Sequence, residues 1–257
     1  MIAMLSALLL TGCTDKPEIN LLITDIWGKP IPEASVVQWG VEGMQRTDSG
    51  GRLMLQVAEP GEVKLQAGTN GYIKDFLTVE VTGDSSDPVS ATIRLYPAPE
   101  EPGFYGVGDR GYQKLESTPV EQVDTEISRY HGIWDISRSA LHRRGEAHTF
   151  VYFAILRDWE IRRLGLELTQ LRFEESTQVT GLLGPMEIDL NMWVADGEIE
   201  TDIDGLWAID NYLITTKGQL EPGAYAFQAQ SILNSRSADA LNQLPEELRV
   251  VYPFEVK

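Results

Sequence analysis

Met186-Glu187-Ile188-Asp189-Leu190-Asn191-Met192-Trp193-Val194 is the stretch that decides the fold class. Met186, Ile188, Leu190, Met192 and Val194 alternate with Glu187, Asp189, Asn191 and Trp193. In an extended chain a period of two sends successive side chains to opposite faces. One face here is apolar and the other polar, the pattern of a half-buried antiparallel strand. The same period recurs upstream at Ile19, Leu21 and Ile23, at Leu53, Leu55 and Val57, and at Val63, Leu65 and Ala67. It returns at Leu77, Val79 and Val81 and at Val89, Ala91, Ile93 and Leu95. Turn chemistry separates these runs: Asp25-Ile26-Trp27-Gly28-Lys29-Pro30, Thr47-Asp48-Ser49-Gly50-Gly51 and Pro60-Gly61. Further along, residues 104–115 read as a hairpin turning at Gly108-Asp109-Arg110-Gly111. Residues 149–156, 159–168, 170–173, 212–216, 224–232 and 248–256 read as strands, with Leu244-Pro245-Glu246-Glu247 breaking the chain before the last. Residues 119–147 mix charges with Ile127, Tyr130, Ile133, Trp134 and Leu141 and fit a loop with a helical turn or two. The expectation is an all-β chain of two antiparallel β-sandwich domains in tandem, Ig-like or transthyretin-like, with a short helical or irregular insertion in the second.

Tyr96-Pro97-Ala98-Pro99-Glu100-Glu101-Pro102-Gly103 stiffens the chain and blocks helix. It divides residues 18–97, the first sandwich, from residues 104–257, the second, with 98–103 as linker. At 257 residues and 42% hydrophobic content, the chain is long and apolar enough for two cores. The net charge is −18, and most of the excess acid follows the linker. Nucleic acid is a poor partner for such a surface, because affinity for it comes from Lys and Arg neutralising phosphate.

Residues 1–12 carry Leu5, Leu8, Leu9 and Leu10 without a charge. The run is shorter than the about 20 residues needed to span a bilayer and fits the apolar core of a secretory signal. Leu10-Thr11-Gly12-Cys13 resembles the lipobox of bacterial lipoproteins. The resemblance implies cleavage before Cys13, acylation of its thiol and new amino terminus, a short tether over 13–17, and attachment to the cell envelope. No Lys or Arg precedes the apolar run, a departure from the usual signal. Thr14 rather than Asp follows Cys13, which in that family favours the outer membrane. Cys13 is the sole cysteine, so no intramolecular disulfide and no cysteine-type zinc site is possible.

Within the first sandwich, Asp25, Gly28, Pro30, Ile31, Ala34 and Val36, then Thr47, Asp48, Gly51 and Leu53, then Gly71-Tyr72, then Ile93 and Leu95 follow a family's order. They resemble the carboxypeptidase regulatory-like (transthyretin-like) domain. The resemblance implies an accessory β-sandwich with no catalytic residues of its own. The His-x-x-Glu pair of the peptidases that carry such domains is missing from the sequence. In the second domain Gly103-Phe104-Tyr105, Leu220-Glu221-Pro222-Gly223 and Tyr252-Pro253-Phe254-Glu255-Val256 resemble a loosely defined, mostly uncharacterised bacterial β-sandwich module.

Candidate chemistry is sparse. His131, His142 and His148 have spacings that match no zinc signature and read as packing or surface residues, and Arg143-Arg144 beside them as a solvated loop. Asp196, Glu198, Glu200, Asp202 and Asp204 alternate, and Asp202 and Asp204 before Gly205 form half of a calcium-loop signature. Position twelve of that loop is Leu213, not Glu, so an outward polar strand face is the stronger reading, with calcium at Asp202 and Asp204 the alternative. There is no Gly-x-Ser-x-Gly elbow and no Walker loop, and no cofactor is expected. Trp27, Trp39, Trp134, Trp159, Trp193 and Trp207 have the chemistry of a sugar-binding face but are scattered. Trp193 stands out for its place beside Glu187 and Asp189 on the polar side of its strand, and these three are the binding candidates.

The functional expectation is a lipid-anchored envelope protein, not an enzyme, that binds a protein or glycan partner or serves in assembly or scaffolding. Two alternatives are an envelope polysaccharide hydrolase with a carboxylate pair in the second domain, and a calcium-stabilised adhesin-like module.

Overall fold

The computed structural model describes residues 16–82, 87–125, 129–142, 147–153, 165–181, 183–206, 211–235 and 240–257. Cys13, the Arg143-Arg144 pair, Trp159 and Trp207 lie outside them. The chain is all-β, and it divides into two compact units, Met1–Ala98 and Pro99–Lys257. Among the described residues no helix is long and apolar enough to cross a membrane.

The first unit holds β1 (Glu18–Asp25), β2 (Ser35–Gln38), β3 (Gln45–Arg46), β4 (Arg52–Gln56), β5 (Gly61–Gly68), β6 (Asp75–Val81) and β7 (Val89–Leu95). They form two sheets, β4-β1-β7 and β3-β2-β5-β6. Alternate residues Ile19, Leu21, Ile23, Ile93 and Leu95 of one sheet close on Val36, Val63, Leu65 and Val79 of the other. Each such side chain contributes about 1.5–3 kcal/mol by leaving water. One pairing departs from the antiparallel expectation. β1 and β7, the first and last strands, run parallel in register from Ile19↔Val89 to Asp25↔Leu95.

The residues that carry the family resemblance are structural pegs. The Asp25 carboxylate accepts the backbone N–H groups of Trp27 (2.9 Å) and Lys29 (2.8 Å) and closes the turn after β1. Buried Thr47 accepts from the Ala34 N–H (2.9 Å) and donates to the Ile31 carbonyl (2.8 Å). Asp48 accepts from Gly50 and Arg52, both at 2.8 Å. Gly51 sits at φ +72°, and a Cβ there would lie 2.6 Å from the Ile23 carbonyl oxygen, so only glycine fits.

The second unit holds β8 (Gly103–Val107), β9 (Tyr112–Leu115), β10 (Thr118–Pro119), β11 (Glu121–Asp124), β12 (Arg129–Gly132), β13 (Ala140–His142) and β14 (Ala147–Phe153). It continues with β15 (Leu166–Gly181), β16 (Gly184–Ile199), β17 (Thr201–Gly205), β18 (Asn211–Gln219), β19 (Gly223–Ala229) and β20 (Val250–Val256). One sheet runs β17-β18-β14-β8-β9 and the other β10-β20-β19-β15-β16, with β13 also pairing β20 in parallel. Between them lies an aromatic core in which Phe104 stacks on Phe227 (5.1 Å) and Phe150 meets Phe254 (5.0 Å).

The β19 strand is buried on both faces. Tyr225 and Phe227 enter the aromatic core, while Ala224 and Ala226 face a second cluster of Leu171, Ile232, Leu233, Leu244 and Leu248. Small side chains there let the covering segment approach the sheet. The helical turns of the unit fall in this cover, at Ile232–Asn234, Ala240–Gln243 and Glu246–Leu248. Described residues of 119–142 form short strands instead of helical turns. A repeated peg also appears. Glu101-Pro102-Gly103-Phe104-Tyr105 and Glu221-Pro222-Gly223-Ala224-Tyr225 share a pattern, and in each the tyrosine hydroxyl donates to the glutamate carbonyl four residues back, at 2.7 and 2.8 Å.

β15 and β16 form a hairpin longer than the sheet needs. β15 pairs with β19 only from Leu166 to Leu171, whereas its pairing with β16 continues to Gly181↔Gly184. Its outer half, from Ser176 onward, is thus a two-stranded ribbon with Leu183 fully exposed at the tip.

Candidate functional site

The three binding candidates of β16 do not converge. Trp193 pairs with Phe173, and the two rings meet edge to face at 5.6 Å. Its backbone exchanges hydrogen bonds with Ile133 (2.8 and 2.9 Å), and its half-buried ring packs on the outer cluster of the sheet. Glu187 accepts from the Ser176 hydroxyl at 2.5 Å, and Asp189 pairs with Ser176 across the hairpin. At about 3.3 Å per residue, Glu187 lies roughly 15–20 Å along the strand from Trp193. A bulge with Asn191 at φ +49° intervenes. Trp193 therefore serves packing, while the two acids face solvent.

Asp202 and Asp204 lie exposed on β17. Lys217 stands 3.7 Å from the Asp202 carboxylate and 3.5 Å from that of Glu200, so the alternating acids are met by a neighbouring lysine across the strand pair. Among the described residues no group of three or more His, Cys, Asp or Glu side chains is placed to hold a metal.

The histidines separate. His131 is fully buried, with Nδ1 2.8 Å from the Ser235 carbonyl and Nε2 3.2 Å from the Gln122 side-chain oxygen. His142 and His148 share the aromatic core, with centroids 5.5 Å apart, and His142 also lies against Phe150 and Phe254. Gly106 makes room for it, since a Cβ there would lie 2.2 Å from the imidazole. Burial, and secondarily the neighbouring His148, push the His142 imidazole down to about 4. It is neutral at physiological pH.

A different surface has the form of a binding site, and it lies in the first unit. On β2, Val36 points into the core, so Ser35 and Val37 point outward. Val37 pairs with Gln66 of β5, and Gln66 with Phe76 of β6, which places the three in a row on the outer face. Trp39 follows two residues after Val37, and its backbone N–H donates to the Lys64 carbonyl (2.9 Å). The indole stands out of the sheet, 55% exposed, perpendicular to the Phe76 ring at 5.7 Å. On the same face runs a groove of about 290 Å³ lined by Val37 and Met44 together with Ser35, Gln66, Asn70 and Lys74, with Trp39 outside its lining. Val41 and Met44, in the loop between β2 and β3, add two more exposed apolar side chains, at 50% and 52%.

Trp39 was one of six scattered tryptophans in the sequence. Its signal there is phase: it falls on the solvent side of the Ala34, Val36 alternation, directly before a glycine-rich loop. The residues around it, Gln66 of β5, Asn70 of the β5–β6 loop and Phe76 of β6, come from a later hairpin and meet β2 only on folding.

No family model matches the chain, and no curated protein matches it in sequence. Among solved structures, a variant of the major pilin subunit BcpA of Bacillus cereus aligns with 94% of this chain and 68% of its own, at 12% identity and a TM-score of 0.30. A candidate carbohydrate-binding protein from Bacteroides uniformis aligns with 82% of this chain and 87% of its own, at 9% identity and a TM-score of 0.26. Scores this low do not define a common topology.

Proposed function

We propose that this chain is a lipid-anchored bacterial envelope protein whose work is binding, not catalysis, and that the outer face of the β3-β2-β5-β6 sheet is its contact surface. The observation that carries the reading is that Trp39, Val41 and Met44, within six residues of one another, are each half or more exposed, and that Met44 with Val37 walls a groove. Large apolar side chains grouped on a surface cost solvation unless something covers them. The Leu10-Thr11-Gly12-Cys13 leader supports the anchor, and the sandwich, which resembles a regulatory-like accessory domain, supports a non-catalytic role.

The anchor is tested by metabolic labelling of bacteria expressing the full chain with an alkyne fatty acid. Label and membrane fractionation are expected for the native chain, and both should vanish in Cys13→Ser. Equal labelling of the two would remove the lipid from the reading. The contact surface is tested by retention of the full chain, freed of its anchor by Cys13→Ala, on washed bacterial envelopes. Retention that Trp39→Ala abolishes supports the surface, and retention unchanged by it moves the contact elsewhere.

A further inference from the structure

Resting on that contact surface, we infer that the groove lined by Ser35, Val37, Gln66 and Asn70, together with the Trp39 indole two residues along the chain from Val37, takes an uncharged saccharide segment of an envelope polysaccharide. Pyranose rings present two kinds of surface: patches of C–H groups on their faces, and hydroxyls around their rims that both donate and accept hydrogen bonds. A site for them needs an aromatic platform beside uncharged polar groups of mixed donor and acceptor character. The first requirement falls to Trp39, which stands outside the lining, two residues along the chain from Val37 and perpendicular to Phe76, the cross-strand partner of Gln66, and is more than half exposed. The second is met by the amides of Gln66 and Asn70 and the hydroxyl of Ser35. An amide supplies two donors and an acceptor with two lone pairs, and a hydroxyl does both. Among the described residues no side-chain hydrogen bond occupies these three groups, so their capacity is open to a ligand.

The platform and the floor are also rigid. Val37, Gln66 and Phe76 are consecutive members of one cross-strand row, and Trp39 is tied to β5 through the Lys64 carbonyl. Rigid placement lowers the ordering cost of binding. A volume of about 290 Å³ sits at the low end of the roughly 300–1,000 Å³ typical of small-ligand pockets.

Other ligand classes fit less well. Among the described residues Lys74 is the only charge in the lining, too little for a phosphate chain or nucleic acid on a protein of net charge −18. Among the described residues no carboxylate lines the groove, so it does not suit a hard cation. A protein partner would use Val41 and Met44 but has no need of a cleft of uncharged polar groups.

The test is co-sedimentation of the full chain carrying Cys13→Ala with cellulose, chitin, starch and purified peptidoglycan sacculi, followed by calorimetric titration with soluble oligosaccharides of whichever binds. Binding to at least one polymer is expected. Trp39→Ala should weaken it about tenfold or more, the scale of a binding hot spot. Gln66→Leu should weaken it several-fold with an unchanged melting temperature. Trp39 is exposed, so its replacement leaves the core intact, and circular dichroism of both variants checks this. No sedimentation with any polymer, or sedimentation indifferent to Trp39→Ala, overturns the saccharide. If the chain is retained on washed envelopes in a Trp39-dependent way, and protease treatment of the envelopes abolishes retention, the saccharide is overturned in favour of a protein and the contact surface stands. If retention is absent altogether, the contact surface itself falls.

Discussion

Single residues in this chain do structural work that their identity states outright. Gly51 is the clearest case. Its positive φ and the Ile23 carbonyl 2.6 Å from a would-be Cβ leave no room for any other residue. Gly51→Ala is expected to lower the unfolding free energy by about 2–3 kcal/mol, the scale of a strained backbone held against its preference. A denaturant midpoint shifted down without a change of slope is the measurement that checks it. His142 carries a pH dependence. Burial holds its folded-state value at about 4, below the about 6.5 of an exposed imidazole. Between these limits the unfolded chain binds a proton that the folded one refuses. The contribution is therefore complete above pH 6.5 and is lost as pH falls toward 4. After allowance for its partial exposure the loss is about 2 kcal/mol. Melting temperatures over that range should fall less in His142→Leu than in the native protein, and equal slopes would remove His142 as the cause. The two tyrosine pegs, Tyr105 and Tyr225, show the same economy of means, one hydroxyl tying each Glu-Pro-Gly turn to the strand it launches.

At the scale of elements, legibility follows from which faces are buried. β1, β5, β6 and β7 alternate in sequence because one side of each meets a core and the other meets water. β19 does not alternate, since both its sides are covered, and the covering turns at Ile232–Asn234 and Glu246–Leu248 are too short to show a helical period. The outer half of the β15–β16 hairpin escapes for the opposite reason. Glu174-Glu175-Ser176-Thr177-Gln178-Val179-Thr180-Gly181 has almost no apolar side chains to alternate, because the ribbon leaves the sheet. A two-stranded ribbon is marginal on its own. Backbone amides at 176–181, paired to one strand, are expected to exchange with deuterium at least about tenfold faster than those at 168–171, which lie between β16 and β19. Equal protection would mean that a further contact holds the ribbon.

For the whole molecule, Trp39 and Trp193 show where sequence reading of a site stops. Both fall on the solvent side of an alternating run, so their local signals are the same. Tertiary structure separates them: the segment at Ile133 bridges the strand edge beside Trp193, whereas Trp39 stays more than half exposed with its edge contact to Phe76. The all-β class was readable from period alone, and the groove was not, because its members are scattered from position 35 to position 74. The parallel pairing of β1 with β7 bears on another matter, mechanical load. The chain enters the first unit at the start of β1 and leaves it at the end of β7, and the two strands lie side by side over seven registered pairs. A pull on the two ends acts on opposite ends of this ladder and loads its hydrogen bonds together in shear. Antiparallel neighbours pulled from one end would open one bond at a time. A pull between the chain before β1 and the second unit that follows β7 thus meets the whole β1–β7 seam at once.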